Sequence, residues 1–278
     1  MKKDKSVKRR IDPKYEKYLI EKKYSSYQMY NFYEKFSYGE VALNDVMNLM
    51  QHLYIAEHCS EHAKVLDVCC GRALTVPLLC KRKKKINEYV GLDVSQKNLA
   101  EAQKFIDGLN CELDFDCRFI LKDITKFDES LQDTFNIVIY TSSIEHMGKE
   151  DGIKSLQNVF EYLKEDGVLF LSTPNTPSEM SNQYRCHVHE WYYTDLIDVI
   201  IKQGMEITDC IGLIPPDKEV LRREIEEKYG KQTLKFFNAI SEKAPIEFWG
   251  PVMVLDMPDM AKEVMFVCKK RGKLWDGR

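Results

Sequence analysis

The chain has 278 residues, of which 44% are hydrophobic, 11% aromatic and 31% charged, with a formal net charge of -3. That composition buries a large core, so disorder over most of the length is excluded. The near-balanced charge gives no overall attraction to nucleic acid or to an anionic membrane, and no run of about 18 uncharged apolar residues exists to span a bilayer.

Residues 1–12 are expected to form a basic, disordered tail; no apolar stretch follows Lys2–Arg10, so no secretory signal is expected. Residues 13–60 are expected to form an N-terminal helical lid. Pro13 suits a first helical turn, and Tyr24, Tyr27, Met29, Tyr30, Tyr33 and Phe36 recur at roughly helical spacing. A second helical stretch carries Val46, Leu49, Met50, Leu53 and Tyr54.

Residues 61–213 change pattern. Short apolar runs at 64–69, 88–93, 117–121, 135–140 and 167–172 read as strands, and the stretches 72–82, 95–108, 150–164 and 192–204 read as helices. Repeated strand–helix–strand units predict a Rossmann-like, doubly wound α/β fold with a seven-stranded, mostly parallel sheet. The last two strands are expected near 206–213 and 263–270. Residues 214–262 between them, with a charged helix at 217–241, are too long for a hairpin loop and are read as a cap insertion. Residues 263–278 make the final strand and tail.

Nine cysteines, an odd number without a Cys-x-x-Cys pair, are expected to be reduced thiols of a cytoplasmic protein. The basic run Lys81–Lys85 falls between the first helix and the second strand, at the amino edge of the sheet, and reads as a solvated loop.

Ligands of an open parallel sheet sit beyond the carboxyl ends of its strands. There the first strand ends in Asp67-Val-Cys-Cys-Gly-Arg-Ala73, the second in Asp93, and the third is followed by Lys122-Asp-Ile124. Asp93 can accept hydrogen bonds from both hydroxyls of a ribose, Asp123 can accept from an adenine amino group, and Ile124 can cover a ring face. The fourth strand runs into Thr141-Ser-Ser-Ile-Glu-His-Met147 and the fifth into Thr173-Pro-Asn175, with His187-Val-His-Glu-Trp191 further on. Glu145, His146, His187, His189 and Glu190 are therefore expected to converge, the first four as the acid–base candidates. His189 is the preferred base, because a following helix start would keep its imidazole neutral.

Asp67 through Ala73, Asp93 and Asp123 resemble the motifs of class I S-adenosylmethionine-dependent methyltransferases. The family's Gly-x-Gly-x-Gly loop is represented by Cys69, Gly71 and Ala73. The resemblance implies S-adenosylmethionine as cofactor, held by Asp67, Cys69, Gly71, Asp93, Asp123, Ile124, Thr141 and Ser142. Trp191, Trp249 and Tyr30 are the expected substrate contacts. The Ile-Glu-His-Met and Thr-Pro-Asn elements are similar to those of ubiquinone-biosynthesis-type O-methyltransferases and of small-RNA 3′-terminal 2′-O-methyltransferases. No metal is assigned under the first similarity. Under the second, a divalent metal would be held by Glu145, His146 and His187, with Ser142 standing where that family has a further glutamate. The Asn/Asp-Pro-Pro-aromatic signature of exocyclic amino methylation is absent after the fourth strand.

The expected function is methylation of a small molecule, at oxygen, by in-line transfer. The alternatives are a metal-dependent RNA 2′-O-methyltransferase, a catalytically degenerate module that binds cofactor or a partner, and transfer of the cofactor's aminocarboxypropyl arm. No membrane partner is expected, and the oligomeric state stays open.

Overall fold

The computed structural model describes residue 35 and residues 38–109, 112–177 and 186–271. The tyrosine stripe with Tyr30 and the two chain ends lie outside those residues.

Alternation along the strands fixes the architecture. In β1 (Lys64–Val68), Leu66 and Val68 face one buried cluster while Val65 faces another, and in β4 (Phe135–Thr141) Val138 and Tyr140 oppose Ile137 and Ile139. Both faces of the sheet are therefore covered, as a mainly parallel sheet requires. Helices α1 (Leu43–His58), α2 (Thr75–Lys81) and α3 (Gln96–Asp107) contribute Ile55, Val76, Leu79 and Ala102 to one face. Helices α4 (Lys149–Tyr162) and α5 (Tyr193–Lys202) contribute Leu156 and Leu196 to the other.

With β2 (Glu88–Asp93), β3 (Asp116–Leu121), β5 (Leu163–Pro174), β6 (Met205–Ile214) and β7 (Glu263–Lys270), the strand order is β3-β2-β1-β4-β5-β7-β6. The first five strands pair in parallel. β7 runs antiparallel to both β5 and β6. The chain order reverses at β1 and β4, and this opens a crevice beyond their carboxyl ends. Because β7 runs the other way, its first residue, Glu263, arrives at that same edge opposite Pro174.

The segment between β6 and β7 forms α6 (Lys218–Ser241), broken at Gly230 with φ 79°, and α7 (Ile246–Val254), a helix the sequence pattern did not indicate. Leu221, Ile225, Phe237, Trp249 and Val254 give these helices a core of their own. They dock closely on the sheet: a Cβ at Gly212 of β6 would lie 2.2 Å from the Val254 carbonyl oxygen. α1 packs against α2, α7 and β6, so it bridges the insertion and the cofactor-side face.

The thiol expectation needs one correction. Cys59, Cys69, Cys70, Cys117, Cys186, Cys210 and Cys268 are free, but Cys80 is disulfide-bonded. Neighbours in space, not in sequence, decide such a pairing. Among the described residues no helix is long and apolar enough to cross a membrane.

Candidate functional site

The loop after β1 makes the first wall. Cys69, Gly71 and Ala73 have φ of 57°, 54° and 58°, so all three positions of the glycine pattern are left-handed although only one is glycine. Asp93, ending β2, holds this loop: its Oδ2 accepts from the Gly71 N–H at 3.0 Å and its Oδ1 from the Ser95 N–H at 2.7 Å. The Asn98 amide adds a longer contact at 3.3 Å to each oxygen. These contacts match the roughly four lone-pair sites of a carboxylate, so a ligand hydroxyl would compete with the two longer Asn98 contacts.

Asp67 lies below, 4% exposed, and accepts from the Tyr89 hydroxyl. Burial pushes its carboxyl up to about 7, assisted by the Asp93 charge and opposed by the Tyr89 bond. Asp123 is more open. Burial works to raise its pKa, but bonds from Thr125, both N–H and hydroxyl, and the nearby Lys126 leave the group below the usual carboxylate range. Ile124 is 4% exposed and packed in the core, with its carbonyl accepting from Asn158.

The second wall comes from the loops after β4 and β5. Ser142, directly after Thr141, is left-handed with φ 45°; its N–H donates to the Ser172 carbonyl. Ile144–His146 form a single 3-10 turn. The Glu145 carbonyl then accepts from both the Val188 and His189 N–H groups, and this fastens the 186–190 stretch to the turn. The convergence of Glu145, His146, His187 and His189 expected from the topology is thus present.

Within this cluster the side chains differ in role. Glu190 is buried; one carboxylate oxygen accepts from the Thr176 hydroxyl and the other bonds His187 Nδ1. Burial lowers the His187 imidazole, against the upward pull of Glu190. Among the described residues His189 has no such carboxylate bond; its ring stands edge-on to Trp191, 4.6 Å between centroids, and burial and Lys149 lower its pKa. Of these two histidines, His187 is the one bonded to a carboxylate among the described residues. Glu145 is buried, accepts from the Thr173 hydroxyl at 3.1 Å and is raised to about 8, chiefly by burial.

Trp191 is 1% exposed and packs against Ile144 and Gly152, so it backs the turn rather than presenting a face to substrate. Trp249 is also corrected: it is buried edge-on to Phe237, 5.3 Å away, inside the insertion's own core. Both were expected at substrate because aromatics near a site are ambiguous in sequence, and their partners lie far away in the chain.

Other residues went unnoticed in the sequence. Glu263 is buried, accepts from the Ser142 hydroxyl at 3.1 Å and is raised well above its ordinary range by burial and by the Glu145 and Glu190 charges. Its one sequence signal was a carboxylate opening an apolar strand. Gln51 of α1 accepts from the Ser172 hydroxyl at 2.8 Å. His52, lowered to about 4 by burial, meets the Thr75 hydroxyl at 2.9 Å. Helical spacing gave both to α1 but not to the site.

A methyltransferase-domain family model matches residues 59–228, which contain both walls. No curated protein matches the chain. Among solved structures, the chain is similar to the (4+2)-cyclase SpnF, at 15% identity over 81% of this chain and 80% of that one, with a TM-score of 0.55. It is similar to the small RNA methyltransferase HEN1 at 17% identity and TM-score 0.55, covering 82% of this chain but only 25% of that one. It is also similar to the 1,6-didemethyltoxoflavin-N1-methyltransferase of Burkholderia thailandensis, solved with S-adenosylhomocysteine, at 13% identity over 86% and 85% of the two chains, with a TM-score of 0.51.

Proposed function

The chain belongs to the class I S-adenosylmethionine-dependent methyltransferases, and on that premise we propose that it methylates a hydroxyl oxygen of a small molecule. The carrying observation is the Thr176–Glu190–His187 series beside the β4 and β5 ends. A carboxylate that accepts from Nδ1–H leaves the lone pair on Nε2. A hydroxyl must shed its proton to attack a sulfonium methyl. That lone pair serves this need, directly or by holding an ion that acidifies the hydroxyl.

The cofactor wall supplies the rest. Asp67, Asp93 and the 69–73 loop would fix the cofactor, with Asp123, Ile124, Thr141 and Ser142 beside it. In-line alignment of oxygen, methyl and sulfur contributes about 7–11 kcal/mol in well-oriented systems. A general base adds about 10²–10⁴-fold. The cap insertion at 214–262 and helix α1 would limit the acceptor's size.

The acceptor wall supports a small molecule over RNA. It gathers the buried carboxyls Glu145, Glu190 and Glu263 in place of the cationic side chains on which RNA affinity rests. The cyclase's similarity carries the fold alone, so the chemistry rests on this site.

The test is incubation with methyl-13C S-adenosylmethionine and two acceptor pools, a small-molecule extract and total RNA. A new methoxy resonance in the small-molecule pool is expected. Label on nitrogen or carbon, or only in RNA, would remove the reading.

A further inference from the structure

Two imidazoles in this site are fixed in the same tautomer. His146 Nδ1 lies 3.3 Å from the Cys186 carbonyl oxygen. A carbonyl only accepts, so Nδ1 carries the hydrogen and Nε2 the lone pair. Glu190 imposes the same choice on His187. The two rings stand 5.0 Å apart at 76° to one another. The Cys186 sulfur completes the group: one ligand atom from each of His146, Cys186 and His187 lies within 4.8 Å of the other two.

We infer that His146, Cys186 and His187 form a site for a borderline-soft divalent ion of the zinc type, with its fourth position open toward the acceptor.

Three protein ligands of nitrogen and sulfur with one open position are the pattern of a reactive zinc site, while a thiolate selects against magnesium and calcium. Bond lengths near 2.0–2.3 Å place tetrahedral ligand atoms roughly 3.3–3.7 Å apart, so the three need to close by about 1 Å. Ligating histidines commonly bond a carboxylate or a carbonyl through the other ring nitrogen. His187 does so through Glu190, itself held by Thr176, and His146 does so through the Cys186 carbonyl.

Glu145 has a different place. Its Oε2 accepts from Thr173, and its Oε1 is 3.9 Å from His146 Nε2. The sulfur of Cys186 therefore takes the position that sequence reading gave to Glu145. Nothing in the sequence spacing pairs residue 186 with residue 146; the loop contact to the Glu145 carbonyl does. A bound ion would act as a Lewis acid on an oxygen in the fourth position. Only that last role rests on the hydroxyl-methylation reading.

The measurement is metal content and cobalt spectroscopy of the full chain. Protein purified without chelator should retain one zinc per chain. Chelator-stripped protein refilled with cobalt should show thiolate-to-cobalt charge-transfer absorption. Cys186→Ser should abolish that absorption and weaken zinc binding by at least about tenfold. Glu190→Gln should weaken zinc about 10–100-fold, the usual effect of an outer partner, while retaining the absorption. Glu145→Gln should change neither. S-adenosylhomocysteine calorimetry on every variant confirms that each is folded.

Absence of retained zinc together with absence of cobalt binding overturns the inference. So does cobalt binding without thiolate absorption, or binding that is lost in Glu145→Gln instead. Methoxy product formed at full rate in metal-stripped protein would leave the proposed function intact while removing the ion's Lewis-acid role. Zinc with no methoxy product would do the reverse.

Discussion

The Gly71 N–H donates to the Asp93 carboxylate at 3.0 Å, so the loop proposed to hold the cofactor is tied to the end of the neighbouring strand. Asp93→Ala frees the Gly71 and Ser95 N–H groups at once. A buried unsatisfied donor costs about 1–3 kcal/mol. S-adenosylhomocysteine affinity should fall at least about tenfold by calorimetry, with a lower melting temperature. Unchanged affinity would separate this carboxylate from the cofactor.

The left-handed φ at Cys69 and Ala73 leads to opposite outcomes at the two positions. A non-glycine residue there costs roughly 1–2 kcal/mol. Cys69→Gly removes that strain and should be neutral to stabilising by about 1 kcal/mol in urea unfolding, after the loss of one small side chain. Ala73 is fully buried, and a β-branched residue is worst suited to this conformation. Ala73→Val should destabilise by more than about 2 kcal/mol. Equal effects of the two substitutions would refute the strain argument.

Asp67 gives a pH signature. Its folded pKa of about 7 lies above the unfolded value near 3.8. The folded state therefore holds the extra proton, and stability of the unliganded protein should decline as pH rises through about 4–7. A cationic ligand group favours the ionised carboxyl, so S-adenosylmethionine affinity should increase from pH 6 to 8. Asp67→Asn should flatten both trends. A wild-type affinity independent of pH would show that no cofactor charge meets this carboxyl.

His187 and His189 separate by kinetics. Because Glu190 orients His187 and nothing comparable orients His189 among the described residues, His187→Gln should lower kcat by about 10²–10⁴-fold. His189→Ala should lower it less than about tenfold. Cofactor affinity should be unchanged in both. The reverse order would restore His189 as the group that serves the acceptor.

Trp249 tests the insertion. Truncation of a buried tryptophan typically costs about 3–5 kcal/mol. Trp249→Ala should loosen the α6–α7 core, seen as faster amide exchange at Leu221, Ile225 and Phe237, with cofactor affinity kept. A change in acceptor KM alone, with exchange unaltered, would return this residue to the substrate pocket.

The strands, most helices and the three carboxylates at strand ends were readable from the residues in order. Apolar runs and helical periods are local signals, and the carboxyl-end rule converts them into a site without further contacts. The spacing of Cys69, Gly71 and Ala73 marked the loop, but the left-handed φ of Cys69 and Ala73 came only from the structure. Folding in three dimensions sets which histidine a carboxylate orients, and that Cys186 stands beside His146. It also brought Glu263 to Ser142, 121 residues away in sequence, and Gln51 to Ser172, likewise 121 residues away. These are side-chain contacts across elements with no shared period. They exist because antiparallel β7 and helix α1 both arrive at the carboxyl edge of the sheet, and no residue's own neighbours encode that arrival.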